Sequence, residues 1–390
     1  MYRDNSAKPS ILLLTLLMSF GTVGAILFTP GFPEIVQYFQ VDRHIAHFVV
    51  TIYLLGFTFG QLIYGPLAHR IGNKKALCAG ISLDMCGALI CILAGILHLF
   101  PLLIVGRFIM SLGSSAGMCL SFALISQNFS PTESKKIAAY ASLSFALAPS
   151  IGITIGGFLV DYFNWIACFI FLLMYGLFVL LLCLAMPKLN ETLCSDDFAT
   201  IRKNYWQNCQ GHVITCGLIL GCATSILYTF STLAPFIGRI DLHLSASSYG
   251  LWNMLPPVGM LLGSLIAAHL ATRVTAYRTM IMGISVGLLA AISYLLIFAT
   301  DYLSVMSLFL PLAPLYLGNS MIYPNAAMIG IAQTPNKAYG SALMNFISLG
   351  FSVINLILVN SIGLKATLLL PIAILFYMLL SVSLIASLRS

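Results

Sequence analysis

Charge is what this chain has least of. Of its 390 side chains, 18 are Lys or Arg and 11 are Asp or Glu. Soluble domains carry roughly 25% charged residues, so a charged fraction of 7% cannot coat a water-facing surface. A soluble enzyme, a disordered chain and a nucleic-acid binder are excluded together. No C-x-x-C pair occurs among the ten cysteines. Eight of them (Cys78, Cys86, Cys91, Cys119, Cys168, Cys183, Cys216 and Cys222) sit in apolar runs, while Cys194 and Cys209 have no partner at ligand spacing. They read as small buried hydrophobes, and neither a metal nor any other cofactor is expected. No G-x-x-x-x-G-K-[ST] loop is present to cradle ATP phosphates. No H-E-x-x-H helix or strand-to-helix nucleophile elbow is present either, and the polar stretches are too short for a catalytic domain. The expectation is a chain that is not an enzyme.

What is there is hydrocarbon: 60% of residues are hydrophobic and the mean hydropathy is +1.00. A bilayer core of ~30 Å needs about 20 apolar residues per helix. Candidate spans fall near 10–29, 47–67, 76–98, 102–126, 136–160 and 164–186, and again near 212–237, 248–271, 278–299, 303–332, 338–360 and 366–388. The first run follows Arg3 and Lys8 but is too long for a secretory leader and lacks a small-x-small cleavage site, so it reads as a span. The tenth carries Pro311, Pro314 and Pro324, which predicts a bend. With the N-terminus inside, 14 Lys and Arg fall in cytoplasmic segments and three (Arg43, Arg239, Lys365) outside. That bias orients an all-α membrane protein of twelve transmembrane helices with both termini cytoplasmic. The net charge of +7 records topology and carries no substrate meaning. Residues 1–186 form one six-helix half, 187–211 a central cytoplasmic loop, and 212–390 the second half.

The halves share a repeat. GQLIYGPLAHRIGNKKAL from Gly60 aligns with GSLIAAHLATRVTAYRTM from Gly263 at a shift of 203 residues, and Arg70 falls on Arg273. Parallel repeats of this kind place a ligand site between the halves near the midplane, where rocking gives alternating access.

TPGFPEI from Thr29, GPLAHRIGNKKAL from Gly65, GRFIMSLGSSAG from Gly106 and LAPSIGITIGG from Leu147 follow one another in order, as do YPNAA from Tyr323 and YGSALMNF from Tyr339. In that order they resemble the major facilitator superfamily, and within it the Bcr/CflA-type multidrug exporters of bacterial inner membranes. The resemblance covers nearly the whole chain. It implies the twelve-helix fold, a multi-pass place in the inner membrane and drug:proton antiport by a monomer. It also marks Gly65, His69, Arg70, Gly72 and Lys74, with Pro149, Gly152, Gly156 and Gly157, as conformational motifs that set the rocking motion. Gly65 and Gly72 would permit a tight turn, and the fifth-helix residues a close helix approach. The chain departs from the pattern at several places. His69 stands where the signature loop has an acid, and Ser126 and Asn128 replace an arginine and an acid, so a neutral His69–Asn128 hydrogen bond is expected in place of an ionic latch. The first helix has Ile26 where the subgroup's proton-carrying carboxylate falls, and no acid until Glu34. Met110 replaces a glutamine and Ile153 a proline.

Within the spans two charges remain. Arg107 lies five residues into the fourth span, roughly 8–9 Å from its outer end at 1.5 Å per residue. An intramembrane arginine implies a partner or a wet cavity, so it reads as an anchor for an anionic or polar group or as a carbonyl-paired structural residue. Asp84, in the third span, is the carboxylate deepest in hydrocarbon. It is a proton-coupling candidate or a helix-pairing residue, and Glu34 is the interfacial alternative. The ligand cavity is expected to gather Tyr53, Phe57, Met110, Ser114, Tyr228, Trp252, Asn253, Asn319, Tyr323 and Asn345, flanked by Phe28 and Met118. Aromatics and Met suit planar lipophilic ligands, and amides such as Asn319, Asn325 and Asn345 need partners in hydrocarbon. The remaining histidines, at span ends or in loops, read as unremarkable.

The expected function is secondary active transport of a small organic compound by alternating access. Efflux of drug-like or metabolite substrates is the first reading, with protons and the lipid bilayer as the other partners and no nucleic acid. The missing first-helix acid supports an alternative, an importer or facilitator of a metabolite or siderophore. A membrane sensor that does not transport is the reading from another class.

Overall fold

The computed structural model describes residues 9–186, 198–271, 273–300, 303–332, 334–335 and 337–388. Among them every regular element is a helix and no strand is present. The first set runs α1 (Ile11–Ile26), a 3-10 turn (Thr29–Gly31), α2 (Phe32–Phe39), α3 (Arg43–Ile71), α4 (Asn73–Ile96), α5 (Phe100–Asn128), α6 (Pro131–Tyr162) and α7 (Trp165–Ala185). A connecting helix α8 (Phe198–Asn208) follows. The second set is α9 (Gly211–Phe236), a π turn (Ile237–Asp241), α10 (Ala246–Trp252), α11 (Leu255–Leu270), α12 (Ala276–Ala299), α13 (Val305–Phe309), α14 (Leu312–Ala332), α15 (Lys337–Ser361) and α16 (Ala366–Ser387). Among the described residues, eleven helices or helix pairs are long and apolar enough to cross a membrane, and the apolar part of α6, Leu147–Tyr162, is shorter.

Several sequence expectations need correction. The polar stretch 187–211 is not simply a loop, because α8 occupies Phe198–Asn208; residues 187–197 lie outside the described part. The run 248–271 is not one helix: it breaks at Asn253 and Met254, ahead of Pro256 and Pro257, which open α11. The bend in the tenth run falls at Leu310 and Pro311, while Pro324 is carried inside α14. Gly65 makes no turn, since it lies within α3 with nothing within 4 Å of where a Cβ would stand. Gly72 alone turns the chain, with φ 89° between α3 and α4. Proline, with its ring and missing amide donor, explains the breaks ahead of Pro256 and at Pro311, whereas the α3–α4 turn rests on the positive φ of Gly72.

Two ends can be told apart. Arg70, Lys74, Lys75, Arg273 and Arg278 mark one as basic. There Lys74 Nζ donates to the Leu184 carbonyl at 2.8 Å and to the Met186 carbonyl, satisfying the last turn of α7. The side chains of His69 and Ser126 lie outside the described part. Asn128 Nδ2 donates within its own helix, to the Leu124 carbonyl at 2.9 Å. At the far end, Asn164 caps α7 by accepting from the Ile166 and Ala167 amides at 2.9 and 3.1 Å.

The repeat seen in sequence is also a repeat of packing. A Cβ on Gly80 would meet the Gly113 carbonyl, and one on Gly283 would meet the Gly318 carbonyl. Reciprocally, Gly113 abuts the Gly80 carbonyl and the Asp84 amide, as Gly318 abuts the Gly283 carbonyl and the Gly287 amide. So α4 lies on α5 as α12 lies on α14, backbone nearly touching backbone, as small residues allow in membranes. The same shift of 203 residues sets Asp84 opposite Gly287.

Candidate functional site

Arg107 is fully buried, yet every partner the structure gives it belongs to the protein's own frame. Nη1 donates to the Gly24 carbonyl at 2.7 Å, Nη2 to Ala25 at 2.9 Å and Nε to Val49 at 3.3 Å, with the Met110 sulfur 3.8 Å from Nη1. Its guanidinium carbon stands 4.1 Å from the Tyr53 ring centre and 4.5 Å from that of Phe28. Gly24 and Ala25 are in the last turn of α1, which ends at Ile26. Carbonyls there have no intrahelical donor, and a cation suits the negative end of a helix dipole. Arg107 therefore finishes α1 and ties it to α3. Tyr53, its upper wall, is itself fixed: the hydroxyl donates to the Gly21 carbonyl at 3.0 Å and bonds Ser114 at 2.7 Å.

Asp84 is 1% exposed, and neither carboxyl oxygen meets a hydrogen-bond partner. This part of α4 is wedged between α5 and α7. The carboxyl points at Gly176, whose absent Cβ would lie 3.7 Å from Oδ2, with the Phe20 ring equally close to that point. The ionisable groups around it are Arg107 on α5, Tyr53 and Tyr64 on α3, Tyr175 on α7 and Cys91 on α4. In the second set the arrangement is inverted. Gly287 takes the place of Asp84, and the Met378 side chain from α16 fills the space a Cβ there would enter. The fold thus closes this packing site with a thioether where it has the choice, so helix pairing does not require a carboxyl.

A cavity of about 40 Å³ lies where the two sets meet. Thr22, Phe57 and Met118 face it from the first set; Tyr228, Tyr323 and Asn345 face it from the second. Sequence reasoning placed Phe57, Met118, Tyr228, Tyr323 and Asn345 in one chamber, and the structure brings these together. It places others elsewhere. Tyr53, Met110 and Phe28 surround Arg107, and Ser114 bonds Tyr53. Trp252 stacks on Phe309 at 6.2 Å, and Asn253 donates to the Tyr249 carbonyl at 3.0 Å at the α10 break. Asn319 is half-buried and does not line the cavity. Asn325 donates to the Met321 carbonyl of its own helix at 2.8 Å.

Sequence reasoning missed the hydroxyl seam beside the cavity. Thr224, which lines it, bonds Ser348 at 3.2 Å and Ser352 at 2.6 Å, and Ser225 donates to Ser352 at 3.2 Å. Its signal was the Ser348/Ser352 pair at helical spacing, opposite Thr224 and Ser225.

The far end is sealed by bonds between the sets, also missed. Arg239, in the π turn after α9, pairs with Glu34 on α2 and stands 3.5 Å from Asp161 at the end of α6. Asp161 in turn accepts from the amides of Ala246 and Ser247 at 2.9 and 2.7 Å, capping α10 from the other set. His47, read from sequence as unremarkable, is buried and bonds Asn360 at 2.8 Å. Phe32 stacks on Phe236 at 5.8 Å. Gly156 and Gly157 are needed here, for a Cβ on either would strike a carbonyl, that of Leu27 on one side and of Ala246 on the other. Gly152 faces Val23 at ordinary contact distance, and Pro149 is carried inside α6. Among the described residues, no ion pair joins the sets at the basic end.

A duplicated fold of long apolar helices with a cavity at the seam and a seal at one end points to a class, the membrane transporters. Residues 11–357 match the Major Facilitator Superfamily, and the chain belongs to it. It is 24% identical over 348 residues to a bicyclomycin resistance protein homolog of Haemophilus influenzae, covering 87% of this chain and 85% of that one. It is 28% identical over 305 residues to the multidrug transporter MdfA of Escherichia coli O157:H7, covering 75% and 72%. Among solved structures, a D-xylose-proton symporter shares the fold with a TM-score of 0.76 at 14% identity, over 95% of this chain and 96% of that one.

Proposed function

We propose that this chain is a twelve-span secondary transporter of the bacterial inner membrane that exports a small organic compound by alternating access in exchange for protons. In this reading the halves are 1–186 and 212–390, joined by 187–211. The basic end and both termini face the cytoplasm, and the monomer is the working unit. The observation that carries it is the cavity at the seam, closed toward the far end by Glu34, Arg239 and Asp161. Ligand sites for drug-sized molecules run ~300–1,000 Å³, so about 40 Å³ is a contracted state that must widen as the sets part. The names of relatives for bicyclomycin resistance and multidrug transport favour export.

Asp84 is the proton carrier in this scheme. A carboxyl without a single hydrogen bond suits one conformation as the neutral acid, and movement of α7 across Gly176 would let water reach it and take the proton. The missing first-helix acid favours a second reading, uncoupled facilitated movement of a metabolite. Proteoliposomes separate the two. With an acid interior, a neutral dansyl amide should accumulate faster than in protein-free vesicles, and a protonophore should abolish the excess. Equilibration indifferent to the gradient would support the facilitator, and no excess over protein-free vesicles would refute transport.

A further inference from the structure

The six spans that follow residue 211 contain no Asp, Glu, Lys or Arg between Val213 and Phe236, Ala246 and Ala271, Thr279 and Ala299, Leu303 and Ala332, Tyr339 and Ser361, or Ala366 and Leu388. One whole wall of the cavity is therefore uncharged over its full depth. In the first set the membrane interior holds two charges, and neither faces the cavity. Arg107 spends its donors on Gly24, Ala25 and Val49 and is sandwiched between Phe28 and Tyr53. Asp84 looks at Gly176, and Phe20 of α1 packs on that same glycine, whereas the cavity is lined from α1 by Thr22. Residues two apart on a helix point about 200° away from each other, so the carboxyl and the cavity lie on opposite faces of α1. On α5 the same holds: Gly113 abuts Asp84 and Met118 faces the cavity, five residues and about 140° apart.

What the cavity does offer is aromatic faces and neutral hydrogen-bonding groups. Phe57, Tyr228 and Tyr323 supply rings, and Thr224, Asn345 and Ser348 supply hydroxyls and an amide. A cation brought here would lose its hydration with no carboxylate to replace it, and an anion would find no guanidinium free to receive it. We propose that this transporter selects uncharged, amphipathic aromatic molecules bearing hydroxyl or amide groups, and that its proton site is separate from its ligand site. The proposal rests on reading the seam cavity as the ligand site.

Binding to the purified full chain in detergent tests it without requiring transport. Three dansyl amides sharing one linker, tipped with a hydroxyl, a trimethylammonium or a carboxylate, are titrated and followed by dansyl emission. The hydroxyl probe should bind, and the two charged probes should bind at least on the order of tenfold more weakly, a difference of about 1.4 kcal/mol. Asn345→Asp should reverse the order in favour of the ammonium probe, and Ser348→Asp, one turn away, serves the same purpose should the first variant fold poorly. Equal or tighter binding of the ammonium probe to the unmodified chain would overturn the proposal, as would failure of the hydroxyl probe to bind. A chain that binds the hydroxyl probe but never moves it in proteoliposomes would refute the transport reading and leave the selectivity inference standing.

Discussion

Asp84→Asn is expected to leave the folded protein and its ligand affinity nearly unchanged while removing its response to a proton gradient. The amide matches the carboxyl in shape, and the group has no hydrogen bond to lose. One pH unit stores about 1.4 kcal/mol per proton, which for one-for-one exchange sustains about tenfold accumulation. In the variant that ratio should fall to one, while exchange of labelled for unlabelled ligand across the membrane continues at its normal rate. If accumulation survives the substitution, Asp84 is a packing residue and the proton is carried elsewhere. An uncharged ligand adds a second consequence. Each cycle then moves one net charge, so a potential of 100 mV alone supplies about 2.3 kcal/mol, or roughly fiftyfold accumulation. An electroneutral cycle would require a charged ligand and would count against the selectivity inference as well.

Arg107→Met is expected to destabilise the protein by about 3–5 kcal/mol, since it strips three charge-assisted bonds from buried carbonyls and leaves those of α1 without donors. The cation–π contacts with Tyr53 and Phe28 go with them. Lysine should rescue little. One ammonium cannot reach Gly24, Ala25 and Val49 from between two rings, as the planar guanidinium does. The measurement is thermal unfolding in detergent, paired with dansyl-probe affinity of the protein that remains folded. A variant as stable as the unmodified chain but with affinity lost would mean that Arg107 acts on the ligand rather than on α1.

The helical architecture was legible because it follows from the bilayer: apolar length sets the helices, and a 203-residue shift reveals the repeat. The packing of Gly80 on Gly113 and of Gly283 on Gly318 is that repeat in three dimensions. Helix breaks were less legible. Pro311 bends its run, yet Pro324 is absorbed within a helix, because the outcome depends on which neighbour can supply a donor. Arg107 and Asp84 stood out from sequence as charges in hydrocarbon, but whether each faced a ligand or the protein depended on the rotation of its helix. Arg107 turned to the end of α1, and Asp84 to a glycine on α7. The far-end seal escaped notice because Glu34, Asp161 and Arg239 are far apart in sequence and each is ordinary alone.

The most direct measurement concerns that seal. In a background with the native cysteines replaced by serine, Glu34→Cys and Arg239→Cys place two thiols across the far end where the ion pair now stands. A short bis-methanethiosulfonate cross-linker, which bridges the span of the two lost side chains, should join the sets there, stop movement of the neutral dansyl probe across proteoliposomes, and leave its binding intact, with reductant restoring the full rate. Undiminished transport through the cross-linked protein would contradict the account, because it would mean that ligand crosses without this mouth ever opening.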